Sequence, residues 1–111
     1  TMPGRLESSI RRAVLDYAKK KYNALTKKME TGRFASSGWP DDMILGKIVK
    51  VQADEDILWR SVIFFIEFKR PGNKLTPLQE AMMREIEGRG FHYYTVFTVE
   101  GGKKVIDKEL G

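Results

Sequence analysis

The chain of 111 residues contains no cysteine and a single histidine. The first absence excludes a disulfide scaffold and thiolate metal sites, and the second excludes a multi-histidine zinc site. Any metal ion must then be held mainly through oxygen, which favours Mg²⁺ or Mn²⁺. Long apolar runs are missing too. No stretch approaches the roughly 20 apolar residues that span a bilayer, and the opening Thr1-Met2-Pro3-Gly4-Arg5 has no apolar signal region. Met2 reads as the native start, no membrane partner is expected, and the expected location is intracellular.

Positive charge is in excess. The 20 Lys and Arg outnumber the 15 Asp and Glu, giving a net charge of +5, a balance that favours a polyanionic partner without identifying it. A hydrophobic content of 41% over this length supports one modest core. With no internal repeat, low-complexity segment or linker in view, residues 1–111 are read as a single domain.

From Leu6 to Thr26 the apolar residues Ile10, Val14, Tyr17, Ala18 and Leu25 recur at helical spacing among Arg and Lys, predicting an amphipathic first helix. Glu7 precedes Ile10 by three and Val14 by seven and so shares their stripe. Either it has a partner there or it is a solvated first-turn acid favoured by the helix dipole. Thr31-Gly32 and Ala35-Ser36-Ser37-Gly38 read as a loop, after which Pro40 biases Trp39 toward extended backbone. Met43-Ile44-Leu45 and Lys47-Ile48-Val49-Lys50-Val51 read as strand pieces broken at Gly46, by a bulge or a hairpin turn. Ala53-Asp54-Glu55-Asp56 reads as a solvated acidic loop rather than a metal site.

The run Val62-Ile63-Phe64-Phe65-Ile66 predicts a buried strand, and Glu67 and Lys69, two apart at its end, project to one side. With Asp41 available from the preceding segment, this group can bind a divalent cation through oxygen and hold a water near the lysine for attack on phosphate. Asp42 is expected to point opposite to Asp41, as a solvent-facing or supporting group. Thr76 is a natural N-cap, with Pro77 at the first helical position and Gln79 where a capping-box residue belongs. A helix is predicted from Pro77 to about Arg89, burying Leu78, Ala81, Met82 and Ile86 and ending at Gly90. Phe91 to Val99 reads as a strand in which the aromatics serve the core more readily than base stacking, and His92 reads as structural. Gly101-Gly102 reads as a turn and Lys103-Lys104-Val105-Ile106 as a short strand. The order helix, strands, helix, strand implies an α/β fold, a mixed sheet flanked by helices.

Taken together, Gly38-Trp39-Pro40-Asp41, Glu67-Phe68-Lys69, Gly72 and Gln79 resemble the virus-type replication-repair nuclease (VRR-NUC) domain, a branch of the PD-(D/E)XK nuclease superfamily. The resemblance spans Glu7 to about Val99. It implies that Asp41, Glu67 and the backbone carbonyl of Phe68 ligate Mg²⁺ or Mn²⁺, that Lys69 orients or helps deprotonate the attacking water, that Gln79 lies beside it, and that Glu7 completes the site as the first-helix acid. One metal is the minimal set; a second would lean on Glu7 or the phosphate. Arg70 and Lys74, next to the catalytic strand, are the chosen DNA-binding residues, with Arg5, Arg11, Arg12, Lys103 and Lys104 as further candidates for a phosphate-binding face.

Stand-alone members of the family resemble phage-encoded dimers that cut four-way DNA junctions. The resemblance therefore implies a metal-dependent, structure-selective endonuclease acting as a homodimer on Holliday junctions, in the host cytoplasm if phage-encoded. A flap-type or less selective nuclease and a non-catalytic nucleic-acid-binding module are the alternatives. The dimer surface is expected around Ile57, Leu58 and Trp59, or on the last-strand aromatics.

Overall fold

The computed structural model describes residues 3–29 and 38–111, without the side chains of residues 3–5 and 49. The loop expected at Thr31-Gly32 and Ala35-Ser36-Ser37, and the Arg5 side chain, lie outside the described residues.

The elements run α1 (Pro3–Tyr22), β1 (Leu25–Lys28), β2 (Asp42–Ala53), β3 (Asp56–Phe68), α2 (Pro77–Gly88), β4 (His92–Val96) and α3 (Val99–Leu110). They form a mixed α/β fold on one sheet of order β1-β2-β3-β4, in which only β3 and β4 are parallel. The predicted buried strand is the interior β3. Alternation splits its apolar run between two layers. Phe64, Ile66 and Phe68 pack with Ile44 and Val96 beneath Ile10, Val14 and Ala18 of α1 and Ile106 of α3. Phe65 turns to the other face and joins Ile86 of α2 and Tyr93 of β4, with Met43, Ile63 and Met82 around them. Glu67 follows Phe65 by two and so belongs to the α2 face.

Several expectations are corrected. The first helix ends at Tyr22, because Asn23 takes a left-handed φ of 53° and the N–H groups of Asn23 and Ala24 bond back to the carbonyls of Lys19 and Ala18. Leu25 therefore belongs to β1 and is exposed. Leu78 and Ala81 of α2 are also exposed; the helix meets the sheet through Met82, Met83 and Ile86. Gly46 lies within one continuous β2, at a register irregularity between Gly46 and Val49, so the bulge is found and the hairpin turn is not.

The largest correction is at the C-terminal end, where Gly101 to Ile106 is helical rather than a turn and a strand. The last strand stops at Val96, and Thr98 caps α3 by accepting the Gly101 N–H at 2.9 Å. Gly102 is selected by close approach: a Cβ there would lie 2.3 Å from Val14 Cγ2 of α1. The carboxylate of Asp107 further ties α3 to α1 by accepting from Tyr17 and Tyr22. His92 Nδ1 lies 2.6 Å from the buried Glu109 carboxylate, a contact between β4 and α3.

Asp42 is fully buried, which corrects its solvent-facing reading. It does point opposite to Asp41, onto the α1 face, where both its oxygens take 2.7 Å hydrogen bonds from Arg11. Arg11 is thereby committed to the fold and leaves the list of phosphate-binding candidates. Removing one partner of a buried ion pair costs about 3–5 kcal/mol, because the other charge is stranded. Arg11→Ala is expected at the low end of that range, since Arg11 stays about one-third exposed. Urea unfolding should show a lower midpoint with an unchanged slope.

Beyond the irregularity, β2 and β3 continue as a two-stranded ribbon to a tight turn at Asp54, whose φ is 53°. Ile48, Ile57, Leu58 and Trp59 are exposed on it. No helix among the described residues is long and apolar enough to cross a membrane.

Candidate active site

The site forms where the start of β2 meets the end of β3. Gly38 is fixed there by two demands: its φ is +71°, and a Cβ would lie 2.3 Å from the Leu78 carbonyl oxygen at the start of α2. Trp39 and the fully buried Pro40 then lead the chain into the sheet. Asp42 pairs with Ile66 in antiparallel register. One step further along that register sets Asp41 opposite Glu67 on the α2 face, where cross-strand Cβ atoms lie about 4.5–5.5 Å apart.

Each carboxylate is braced through one oxygen. Asp41 Oδ2 accepts the Phe68 backbone N–H at 2.8 Å. Glu67 Oε2 accepts from Gln79 Nε2 at 3.2 Å and lies 3.9 Å from Lys69 Nζ. Gln79 makes two contacts at once. Its Oε1 accepts the Thr76 N–H at 2.9 Å, closing the capping box, while the other end of the amide reaches Glu67. The cap of α2 thus fixes the orientation of a site carboxylate.

Glu67 is only 5% exposed. Burial, and then the Asp41 charge, push its carboxyl up to about 8; burial likewise raises Asp41, with Asp42 adding to the effect. Two crowded, desolvated carboxylates resist joint ionisation, and a divalent cation between them would relieve both penalties. Among the described residues, only three buried side-chain polar atoms lack a partner: Glu67 Oε1, Arg70 Nε and the Tyr93 hydroxyl. An orphaned carboxylate oxygen facing a second acid fits a hard cation. An orphaned guanidinium N–H one residue past Lys69 fits an anion such as a phosphate oxygen. The residues present therefore suit Mg²⁺ or Mn²⁺ and a phosphodiester.

The structure brings Asp41, Glu67, Lys69 and Gln79 together. It does not gather three His, Asp or Glu side chains close enough to hold a metal among the described residues, so Glu7 does not complete a three-acid cluster with Asp41 and Glu67. Glu7 is half-buried on α1, one turn before Arg11. Lys74 is exposed in the loop that leads to α2. Sequence reasoning missed two groups. The Arg11–Asp42 brace had a signal, since alternation puts Asp42 on the side of Ile44, where a buried acid needs a cation. Tyr93 was assigned to the core, which holds for its ring, but nothing local marked its hydroxyl.

No family model matches the sequence, and no curated protein matches it. Comparison with solved structures finds a protein described as a VRR_NUC domain, 22% identical, with a TM-score of 0.62 over 88% of this chain and 95% of that one. This chain has the fold of a VRR_NUC domain. The likeness covers most of both chains and concerns the fold.

Proposed function

We propose that this chain is a Mg²⁺- or Mn²⁺-dependent endodeoxyribonuclease that cuts branched DNA, four-way junctions in particular, as a homodimer. The observation that carries the reading is the buried, unpartnered Glu67 Oε1 facing Asp41 beside Lys69. Asp41, Glu67 and the Phe68 carbonyl would hold the cation. When bound, it supplies charge neutralisation at the scissile phosphate and a water of lowered pKa. The protein contributes position. The Phe68 N–H and the Gln79 amide hold one oxygen of each acid and leave the others free. Lys69 Nζ, at 3.9 Å from Glu67, is outside tight hydrogen-bond range of that oxygen, so its donors are available to the attacking water and the phosphate. Glu7 is proposed as a supporting acid from the first helix.

Arg70 and Lys74 are the proposed phosphate contacts. Arg70→Ala and Lys74→Ala should each weaken binding and reduce the slope of log affinity against log salt by about one. An unchanged slope in either variant would remove that residue from the contact surface.

The homodimer reading rests on the β2–β3 ribbon. A two-stranded ribbon is marginal in water by itself, and this one exposes apolar side chains on both faces: Ile57 and Trp59 on one, Leu58 on the other, with Trp59 66% exposed. A second copy would cover them and present two sites to a symmetric branched substrate. Sedimentation should give a dimer for the parent and a monomer for Trp59→Asp; a monomeric parent at working concentration contradicts the assembly.

Substrate choice is tested by comparing a four-way junction, a flap and a linear duplex with Mg²⁺, Mn²⁺ or EDTA. Paired, metal-dependent cuts in the junction support the proposal. Preferential flap cutting keeps the site and overturns the junction assignment. Binding without cleavage of any substrate would instead indicate a non-catalytic module.

A further inference from the structure

The Tyr93 ring has a packing role, but its hydroxyl does not. Tyr93 lies on β4 beside Phe65 in parallel register, with its ring in the cluster of Phe65 and Ile86. A phenylalanine would pack equally well there. The tyrosine is 6% exposed, and its hydroxyl is one of the three buried polar atoms without a partner. That hydroxyl lies in the field of the two acids. Its pKa is raised by burial first and then by the charges of Glu67 and Asp41, so it stays a proton donor. On the α2 face, Tyr93 stands beside Phe65 and diagonal to Glu67, since Thr95 is the register partner of Glu67. An orphan donor and the orphan acceptor Glu67 Oε1 are thus both buried on the same face of the sheet, diagonal across neighbouring strands, with no direct bond between them. This is the arrangement of two groups completed by a third body that carries oxygen.

We infer that Tyr93 is a positioning residue of the site: its hydroxyl donates a hydrogen bond to the water shell of a divalent cation held by Asp41 and Glu67. The inference rests on the proposed metal site and deepens it by assigning a supporting donor from β4. Outer-shell groups of this kind fix ligand geometry, and their loss typically lowers metal affinity about 10–100-fold.

The test is titration of the DNA-free protein with Mn²⁺, following free Mn²⁺ by electron paramagnetic resonance, with the parent, Tyr93→Phe and Glu67→Gln. Thermal unfolding in EDTA is measured in parallel. Expected are loss of the site in Glu67→Gln, about 10–100-fold weaker binding in Tyr93→Phe, and an unfolding midpoint for metal-free Tyr93→Phe equal to or above the parent's, because an unsatisfied buried group has been removed. A purely structural role would lower the midpoint and leave affinity alone. Parent-like Mn²⁺ affinity in Tyr93→Phe, with binding lost in Glu67→Gln, overturns the role of Tyr93 and leaves the metal site standing. Failure of the parent to bind Mn²⁺, or binding retained in Glu67→Gln, overturns both.

Discussion

Lys69→Ala is expected to cripple metal-dependent cleavage while leaving Mn²⁺ binding at the acid pair in place; Asp41→Ala and Glu67→Ala should abolish both. The separation follows from position. Glu67 contributes the unpartnered oxygen and Asp41 stands opposite it across the β2–β3 pair, so either acid is half of the proposed cation site. Lys69 lies 3.9 Å from a Glu67 oxygen that Gln79 already engages. Its charge thus adds to the site without being a ligand. Removing a preorganised charge or a proton-transfer group aimed at the reacting centre costs about 10²–10⁴-fold in rate. Single-turnover cleavage should therefore drop by about 10³-fold in Lys69→Ala, with Mn²⁺ affinity within a fewfold of the parent. Gln79→Ala should cost less, about 10–100-fold, because it removes a brace from a ligand rather than the ligand itself. Glu7→Ala should also have the smaller effect, since Glu7 forms no three-acid cluster with the pair. Cleavage by Lys69→Ala at the parent's rate would contradict the assignment.

The second large effect is on stability and its dependence on pH. The Glu67 carboxyl is raised from an ordinary 4.5 to about 8 by burial and by Asp41, and Asp41 is raised in the same direction. Between these limits the folded, metal-free protein holds a proton that the unfolded chain has released. Stability therefore falls as pH rises through the window from about 4.5 to about 8. One such group contributes a slope of at most about 1.4 kcal/mol per pH unit. Glu67→Gln, which stays neutral, should flatten that slope and be more stable than the parent at pH 8 in EDTA. With Mn²⁺ present the sign reverses, because the cation binds the deprotonated pair and displaces the proton, so stabilisation by metal grows as pH rises. Urea unfolding from pH 5 to pH 8, with EDTA or Mn²⁺, measures both. A metal-free parent that gains stability toward pH 8 would rule out the raised carboxyl.

The parts of this fold that the sequence disclosed are those whose information is local. Thr76, Pro77 and Gln79 define the start of α2 within four residues, and the apolar run with Glu67 and Lys69 two apart defines the end of β3 and the side its charges face. What stayed hidden depends on partners far along the chain. Gly101-Gly102 reads as a turn by itself, and only the approach of Val14 from α1 explains a glycine inside α3. Arg11 and Asp42 are 31 residues apart, so their pairing is a property of how α1 crosses the sheet. The same holds for Tyr93, which shares the α2 face with Glu67 because β4 pairs in parallel with β3. Asp41, Glu67, Lys69 and Gln79 could be named beforehand because each belongs to a short motif. That one amide of Gln79 serves the helix cap and Glu67 together is visible only in three dimensions.

The central claim is that Asp41 and Glu67 together hold a divalent cation. Its most direct test is an anomalous-difference map from crystals of the protein soaked in Mn²⁺. The account predicts a peak between the Asp41 and Glu67 carboxylates, at coordination distance from Glu67 Oε1 and the Phe68 carbonyl oxygen. An empty acid pair beside a saturated Mn²⁺ site elsewhere on the chain would contradict it.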